Sequence, residues 1–311
     1  MFKFILKRIG AGLVAAFVAI TITFFLIHLK PGDPTPPGAK QLTGVAKQNY
    51  LKKHGLDLPP SQQYVRYMKK LIFEFDLGES LITEGKSVTG VIVKHGPISA
   101  SYGLIAIVLE LIFGLTLGIV AAFKRGTWID SAIGVLIILG VCVPSFVMGA
   151  LLQYVICVKL KWVPVFAWGT PGGIILPAIA LAMGGIANYC KFMRNSTLSV
   201  IGEDYIVTAK AKGLSQVALV WKHVLRNALI PIITFVAPQV MGIFVGGLVV
   251  EQIFSVPGLG DNYVTAINAN DYTMIMGLTI FISLAFIAAL ILVDILYSVA
   301  DPRIRLGNES K

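Results

Sequence analysis

A chain of 311 residues that is 56% hydrophobic and only 14% charged, with a mean hydropathy of +0.80, is not an ordinary soluble domain, where about a quarter of residues are charged. Its net charge of +10 is scattered between apolar runs and forms no stripe, which argues against nucleic-acid binding. Composition therefore describes an all-α polytopic membrane protein, and the even spread of apolar runs makes it one unit rather than two soluble domains.

Six apolar segments predict six transmembrane helices, at about 9–29, 98–123, 131–158, 174–190, 229–250 and 274–297, each near the ~20 residues a hydrocarbon core requires. The first follows a basic start, "MFKFILKR", but its apolar run exceeds that of a signal peptide and no small-x-small cleavage site follows. It reads as a retained helix stopped by "KPGDP".

Basic residues set the orientation. With the N-terminus inside, the inner pieces 1–8, 124–130, 191–228 and 298–311 hold 14 of the 26 Lys and Arg, and the short outer pieces 159–173 and 251–273 hold only Lys159 and Lys161. Both termini are thus expected in the cytoplasm. The outer loop 30–97 is too long to obey the rule. It begins Pro- and Gly-rich and then predicts an amphipathic helix, with Tyr64, Val65, Met68, Leu71, Ile72 and Phe75 at helical spacing behind Ser61 as N-cap. That helix is expected to lie on the membrane or pack over the bundle.

Within the spans, Pro144, Pro231 and Pro238 and the stretches "MGGIAN" and "GIFVGG" predict broken or closely packed helices. Glu110 and Asp294 lie inside spans, where acids are candidate functional groups. Cys142, Cys157 and Cys190 form no CxxC, and the four His are scattered, so neither a disulfide framework nor a metal site is expected. "GLGD" at 258–261 matches a motif of intramembrane aspartyl proteases, but Asp261 sits in an outer connection after Pro257 and reads as a polar turn. No catalytic residue is assigned.

The inner connection 191–228 is the longest and too ordered for a linker. Glu203 and Asp204 open a helical stretch on the favourable side of its dipole, Lys210 and Lys212 fall in its last turn, and Gly213 supplies a left-handed cap. Ser215 can cap a second helix whose Val217, Val220, Trp221, Val224 and Ala228 predict one apolar stripe. Such a short exposed helix needs something to dock on. A partner and the inner face of its own bundle are equally good readings of these residues.

"EDYIVTAKAKGL…HVLRNALIP" (203–214 and 223–231) resembles the cytoplasmic EAA loop of ABC importer permeases in the peptide/nickel family. It departs from the general loop at Val207, where that pattern has Glu, and at Arg226, where it has Pro; both departures are usual in the peptide branch. "PGDP", "GLDLPPSQQYVRY", "VPSF", "ILPAIALA" before Arg194, "VVEQIFSVPGLG" and "VDILYSVADPRIR" extend the resemblance over nearly the whole chain. Together they are similar to the B-type permeases of oligopeptide importers.

That resemblance implies a type I ABC importer permease (MetI-like) architecture, with residues 1–97 as first helix and outer loop and 98–311 as a five-helix core carrying the coupling loop 191–228. It implies that Glu203, Asp204, Tyr205, Thr208, Ala209, Lys210, Ala211, Lys212, Gly213 and Leu214 contact an ATPase, and that Glu110, Pro144 and Glu251 lie along the substrate pathway. The implied partners are a homologous second permease, two cytoplasmic ATPases that hold the ATP and Mg, an extracytoplasmic peptide-binding protein and a peptide, in a bacterial or archaeal plasma membrane. Consistent with this, no GxxxxGK[ST] phosphate loop occurs in the chain. The alternatives are import of dipeptides, nickel or another small solute, or an ion-coupled secondary transporter using the intramembrane acids.

Overall fold

The computed structural model describes residues 2–29, 44–233 and 235–300. "PGDP" and the "DPRIR" end of the last motif lie outside the described residues, as does the side chain of Asp294. The chain divides into two compact units, residues 1–99 with 257–288 and residues 100–256 with 289–311. The first therefore takes in a late segment that the sequence division placed with the core. Among the described residues there is no strand beyond one isolated bridge between Glu79 and Ser87.

The first unit opens with α1 (Phe2–His28), α2 (Gly44–His54) and α3 (Pro60–Lys69), which a π-helical turn, Lys70–Glu74, extends. α3 is the predicted outer helix, but Ser61 does not cap it. Pro59 is the N-cap and Pro60 takes the first helical position, where a missing N–H is harmless and φ is already helical. Gln62 and Gln63 N–H donate to the Pro59 carbonyl at 2.9 and 3.0 Å instead.

α3 packs on α1. Buried Met68 meets Ile20 and Phe24, the Tyr64 and Thr21 hydroxyls share a hydrogen bond of 2.7 Å, and His28 stacks on Phe24 with ring centroids 4.1 Å apart. Val65, Ile72 and Phe75, predicted on the packed stripe, are exposed. Val65 lies ahead of the π-helical turn, on the outer flank of α3; within and after the turn, which carries an extra residue, spacing counted at 3.6 keeps Leu71 on the packed side and loses Ile72 and Phe75.

The same unit holds the start of α4 (Val88–Phe123), α13 (Leu259–Ala269) and the start of α14 (Tyr272–Ala300). Asp271 is buried and caps α14, accepting from Met274 N–H at 3.2 Å, and it also accepts from Leu81 N–H at 3.0 Å and from the Ser80 hydroxyl. One carboxylate thus fixes the helix start and pins the 79–87 loop. Val88, Val91, Leu259, Met274 and Leu278 form the core beneath it.

The second unit continues α4 and adds α5 (Trp128–Cys142), α6 (Ser145–Leu152) with its π-helical turn Gln153–Lys159, and α7 (Pro171–Ile201). α5 and the α6 segment meet at 106° across Val143 and Pro144, the break that Pro144 predicted. α4 and α5 both press on α7. A Cβ at Gly114, Gly118 or Gly140 would fall within 2.7 Å of Tyr189, Met193 or Ala187 Cβ respectively, so these glycines let backbones approach as small residues do in bilayer bundles.

Among the described residues four helices, Leu6–His28, Val88–Phe123, Pro171–Ile201 and Tyr272–Val293, are long and apolar enough to cross a membrane, and the bent pair makes a fifth if it is one span. The chain is a multi-pass membrane protein. The predicted span at 229–250 is divided into α11 (Ile230–Ile233) and α12 (Val236–Phe254).

Candidate functional site

The polar segment after α7 folds as helix, corner and helix. α8 (Asp204–Ala211) starts from Glu203 in extended conformation, with Asp204 in its first turn beside the positive end of the dipole. Glu203 provides its carbonyl to Ile206 N–H at 3.0 Å, and neither acid makes a side-chain cap. Thr208 donates to the Asp204 carbonyl at 3.1 Å. Lys212 is the C-cap. Gly213 has φ +76°, and its N–H donates to the Lys210 carbonyl at 2.9 Å, which closes the helix in a left-handed turn that favours glycine.

Ser215 then caps α9 (Gln216–Leu219), its hydroxyl accepting from Ala218 N–H at 3.3 Å. A π-helical turn, Val220–Val224, leads into α10 (Leu225–Ala228). The Asn227 amide donates to the Tyr205 hydroxyl at 2.8 Å and ties the second helix back to α8.

This segment has two faces. Ile206, Ala209, Leu219, Val224 and Ala228 are buried together with Tyr189 and Met193 of α7. Outward stand Tyr205 and, at 60%, 69% and 68% exposure, Val207, Val217 and Trp221. Val217 and Trp221 were predicted on one stripe with Val224 and Ala228; the π-helical turn between them shifts the register and separates the two pairs. The segment therefore covers its own bundle and still leaves apolar side chains unpartnered. Among the coupling candidates, Glu203, Asp204, Tyr205, Thr208, Lys210, Ala211, Lys212 and Gly213 are exposed, Leu214 is half-buried and Ala209 faces inward.

The pathway candidates separate. Glu110 of α4 is fully buried and accepts from the Gln239 amide of α12 at 2.9 Å, and its other oxygen has no hydrogen-bond partner among the described residues. It lies against the α7 backbone, since a Cβ on Gly185 would come within 2.0 Å of its Cδ. Glu251 of α12 is also buried and accepts from the Tyr102 hydroxyl. Pro144 is the exposed N-cap of α6. Sequence reasoning missed Gln239 and Tyr102 because nothing local marks them as partners of carboxylates more than a hundred residues away.

Elsewhere, Arg194 of α7 holds Asp130 of α5 with two hydrogen bonds of 2.8 and 2.9 Å. In the segment between α1 and α4, burial lowers the pKa of His54, helped by Lys53 and opposed by Glu79, Glu84 and Asp271. Burial also raises the Tyr67 phenol. Asp261 lies in the first turn of α13. Among the described residues no three His, Cys, Asp or Glu are grouped as a metal site, and Cys142, Cys157 and Cys190 are free thiols.

Residues 114–306 match the model of the binding-protein-dependent transport system inner membrane component, and residues 1–96 match the N-terminal model of the same membrane component. The chain is 40% identical over 310 residues to the dipeptide transport system permease protein DppB of Bacillus subtilis (strain 168), covering 99% of this chain and all of that one. It is 36% identical over 306 residues to the DppB of Lactococcus lactis subsp. cremoris (strain MG1363), covering 98% of this chain and all of the relative. To the oligopeptide transport system permease protein OppB of Salmonella typhimurium it is 35% identical over 307 residues, again 98% of this chain and all of the other. With over half its length matched by the first model and full-length relatives above a third identity, the chain belongs to the family of binding-protein-dependent transport system inner membrane components.

Proposed function

We propose that this chain is one transmembrane half of an ATP-driven importer of short peptides, and that 203–228 transmits the motion of a separate ATPase. The observation that carries the coupling role is the two-faced segment. Ile206 and Ala209 anchor it to α7 while Val207, Val217 and Trp221 stay exposed at its surface. A lever needs both attachments: a rigid seat on the bundle and an apolar surface that a cleft can grip.

The peptide class rests on the relatives' names, which include dipeptide systems at 40% and oligopeptide systems at 35% identity. The proposal therefore covers dipeptides as well as the oligopeptides favoured by sequence. In this reading the chain crosses the inner membrane six times, with the divided segment α11–α12 as the fifth crossing and both termini in the cytoplasm. It pairs with a homologous permease, rests on two ATPases that bind ATP and Mg, and receives peptide from an extracytoplasmic binding protein. The chain itself catalyses nothing.

The test is reconstitution of the chain with its neighbouring permease, ATPases and binding protein in proteoliposomes. Uptake of labelled di- to pentapeptides should require ATP and the binding protein. Uptake driven by a proton gradient without ATP would replace this reading with ion-coupled transport.

A further inference from the structure

Between α5 and α7 lies an open slot of about 500 Å³ that changes chemistry along its length. One end is lined by Asp130, Ser131, Lys191, Arg194 and Asn195; the rest by Gly134, Ile137, Ile138, Val141 and Cys142. The helices meet closely at Gly140 and Ala187, and the Gly134 face of α5 is open, its Cβ position meeting nothing within 4 Å. From Asp130 to Cys142 the wall of α5 measures about 18 Å at 1.5 Å per residue. That is close to one leaflet of a hydrocarbon core ~30 Å thick.

The polar end is cationic. Asp130 is neutralised by Arg194, Arg125 stands within electrostatic reach of the same carboxylate, and Lys191 is exposed with no ion pair among the described residues. Two cations, Lys191 and Arg194, thus line this end with one acid. Covering that end with an apolar helix would strand positive charge in a dry contact, which is costly. A phosphate would pair with it, and the apolar wall beneath would take a hydrocarbon chain.

We propose that this slot is a binding site for an anionic glycerophospholipid, its phosphate held by Lys191 beside the Arg194–Asp130 pair and one acyl chain lying along Gly134, Ile137, Ile138 and Val141. The site rests on the proposed topology, which puts Lys191 and Arg194 at the cytoplasmic leaflet, where anionic lipids draw basic residues.

The assembled transporter is reconstituted in phosphatidylcholine vesicles doped with photoactivatable phosphatidylglycerol or, in parallel, photoactivatable phosphatidylcholine. Adducts are then mapped by mass spectrometry. Phosphatidylglycerol should label peptides 130–142 and 191–195 in preference to phosphatidylcholine. Lys191→Glu should lower that labelling about fivefold or more, since one basic residue near an anionic surface is worth ~1 kcal/mol. Gly134→Leu, which fills the apolar part without touching the charges, should lower it too. Equal labelling by both lipids that neither variant changes overturns the site. So does competition by inorganic phosphate, which would make it a site for a free anion, or cross-linking of Gly134→Cys to the second permease, which would make it a protein interface. Topology is read separately, by reaction of Asn195→Cys with an impermeant maleimide: reaction from the outer face alone would refute the orientation while the lipid mapping still decides the slot.

Discussion

Gln239 of α12 donates a hydrogen bond of 2.9 Å to Glu110 of α4, joining two helices through a carboxyl group with no exposed surface. Glu110 is thus closed to solvent and packed between helices in this structure. Gln239→Leu removes its described partner and should destabilise the folded protein by about 1–3 kcal/mol, the range for a buried polar group left unsatisfied. Glu110→Gln keeps an acceptor for Gln239 and should be milder. Thermal unfolding in detergent, followed by tryptophan fluorescence, ranks the two; a Gln239→Leu protein as stable as the parent would show that the contact contributes nothing.

Gly185→Ala tests the same site from the other helix. Its new methyl would overlap the Glu110 carboxyl, 2.0 Å from Cδ, and over-packing of this kind costs about 1–3 kcal/mol. The added Glu110→Ala removes the obstructing carboxyl and should recover part of the loss. No recovery in the double variant would mean that Gly185 is limited by something other than Glu110.

The segment between α1 and α4 should show a pH dependence. The folded pKa of His54 lies below its ordinary 6.5, because burial disfavours the charged ring. As pH falls through 6.5 the unfolded loop takes up a proton before the folded one does, so the loop is fully stable above that value and loses stability below it. Amide protection factors over 44–87, corrected for the intrinsic exchange rate at each pH, should therefore fall below pH 6.5 in the parent, and much less in His54→Gln. An equal fall in both would assign the effect to another group.

Ala209 separates the two faces of the polar segment. It packs against α7 with Ile206, so Ala209→Glu buries an unpaired charge and should lower the amount of folded protein in the membrane. Val207→Glu and Trp221→Ala alter exposed positions, where substitutions away from packing usually shift stability by about 0.5 kcal/mol or less. These two should leave membrane levels near normal and weaken ATPase co-purification. Normal folding of Ala209→Glu would contradict the inward placement of that residue.

Hydropathy made the long spans legible, Pro144 marked the break in the bent pair, and Gly213 and Ser215 marked the corner and cap of the polar segment, because each is set by residues close in sequence. The π-helical turns were not legible. They shift Trp221 away from Val224 and Phe75 away from Met68, and no residue type encodes the extra position. Asp271 with Ser80, Arg194 with Asp130, and Glu110 with Gln239 join residues 64 to 191 positions apart, so only the folded chain shows them. Proline at position 60 displaced the predicted Ser61 cap by satisfying the helix start in its own way.

Gly213 offers the most direct test that 203–228 couples to an ATPase. Its φ of +76° leaves open space where a Cβ would go, so a substitution there meets backbone strain of about 1–2 kcal/mol and no clash. That is too little to unfold the bundle and enough for about a tenfold change at an interface, where each ~1.4 kcal/mol counts tenfold. Gly213→Val and Gly213→Asn are compared in membranes for protein level, ATPase co-purification and ATP-driven peptide uptake. Val should keep a normal level and lose ATPase binding and uptake together, while Asn, which tolerates the left-handed region, should retain most of both. Full ATPase binding and uptake in Gly213→Val would contradict the coupling role and leave 203–228 as a cover for its own bundle.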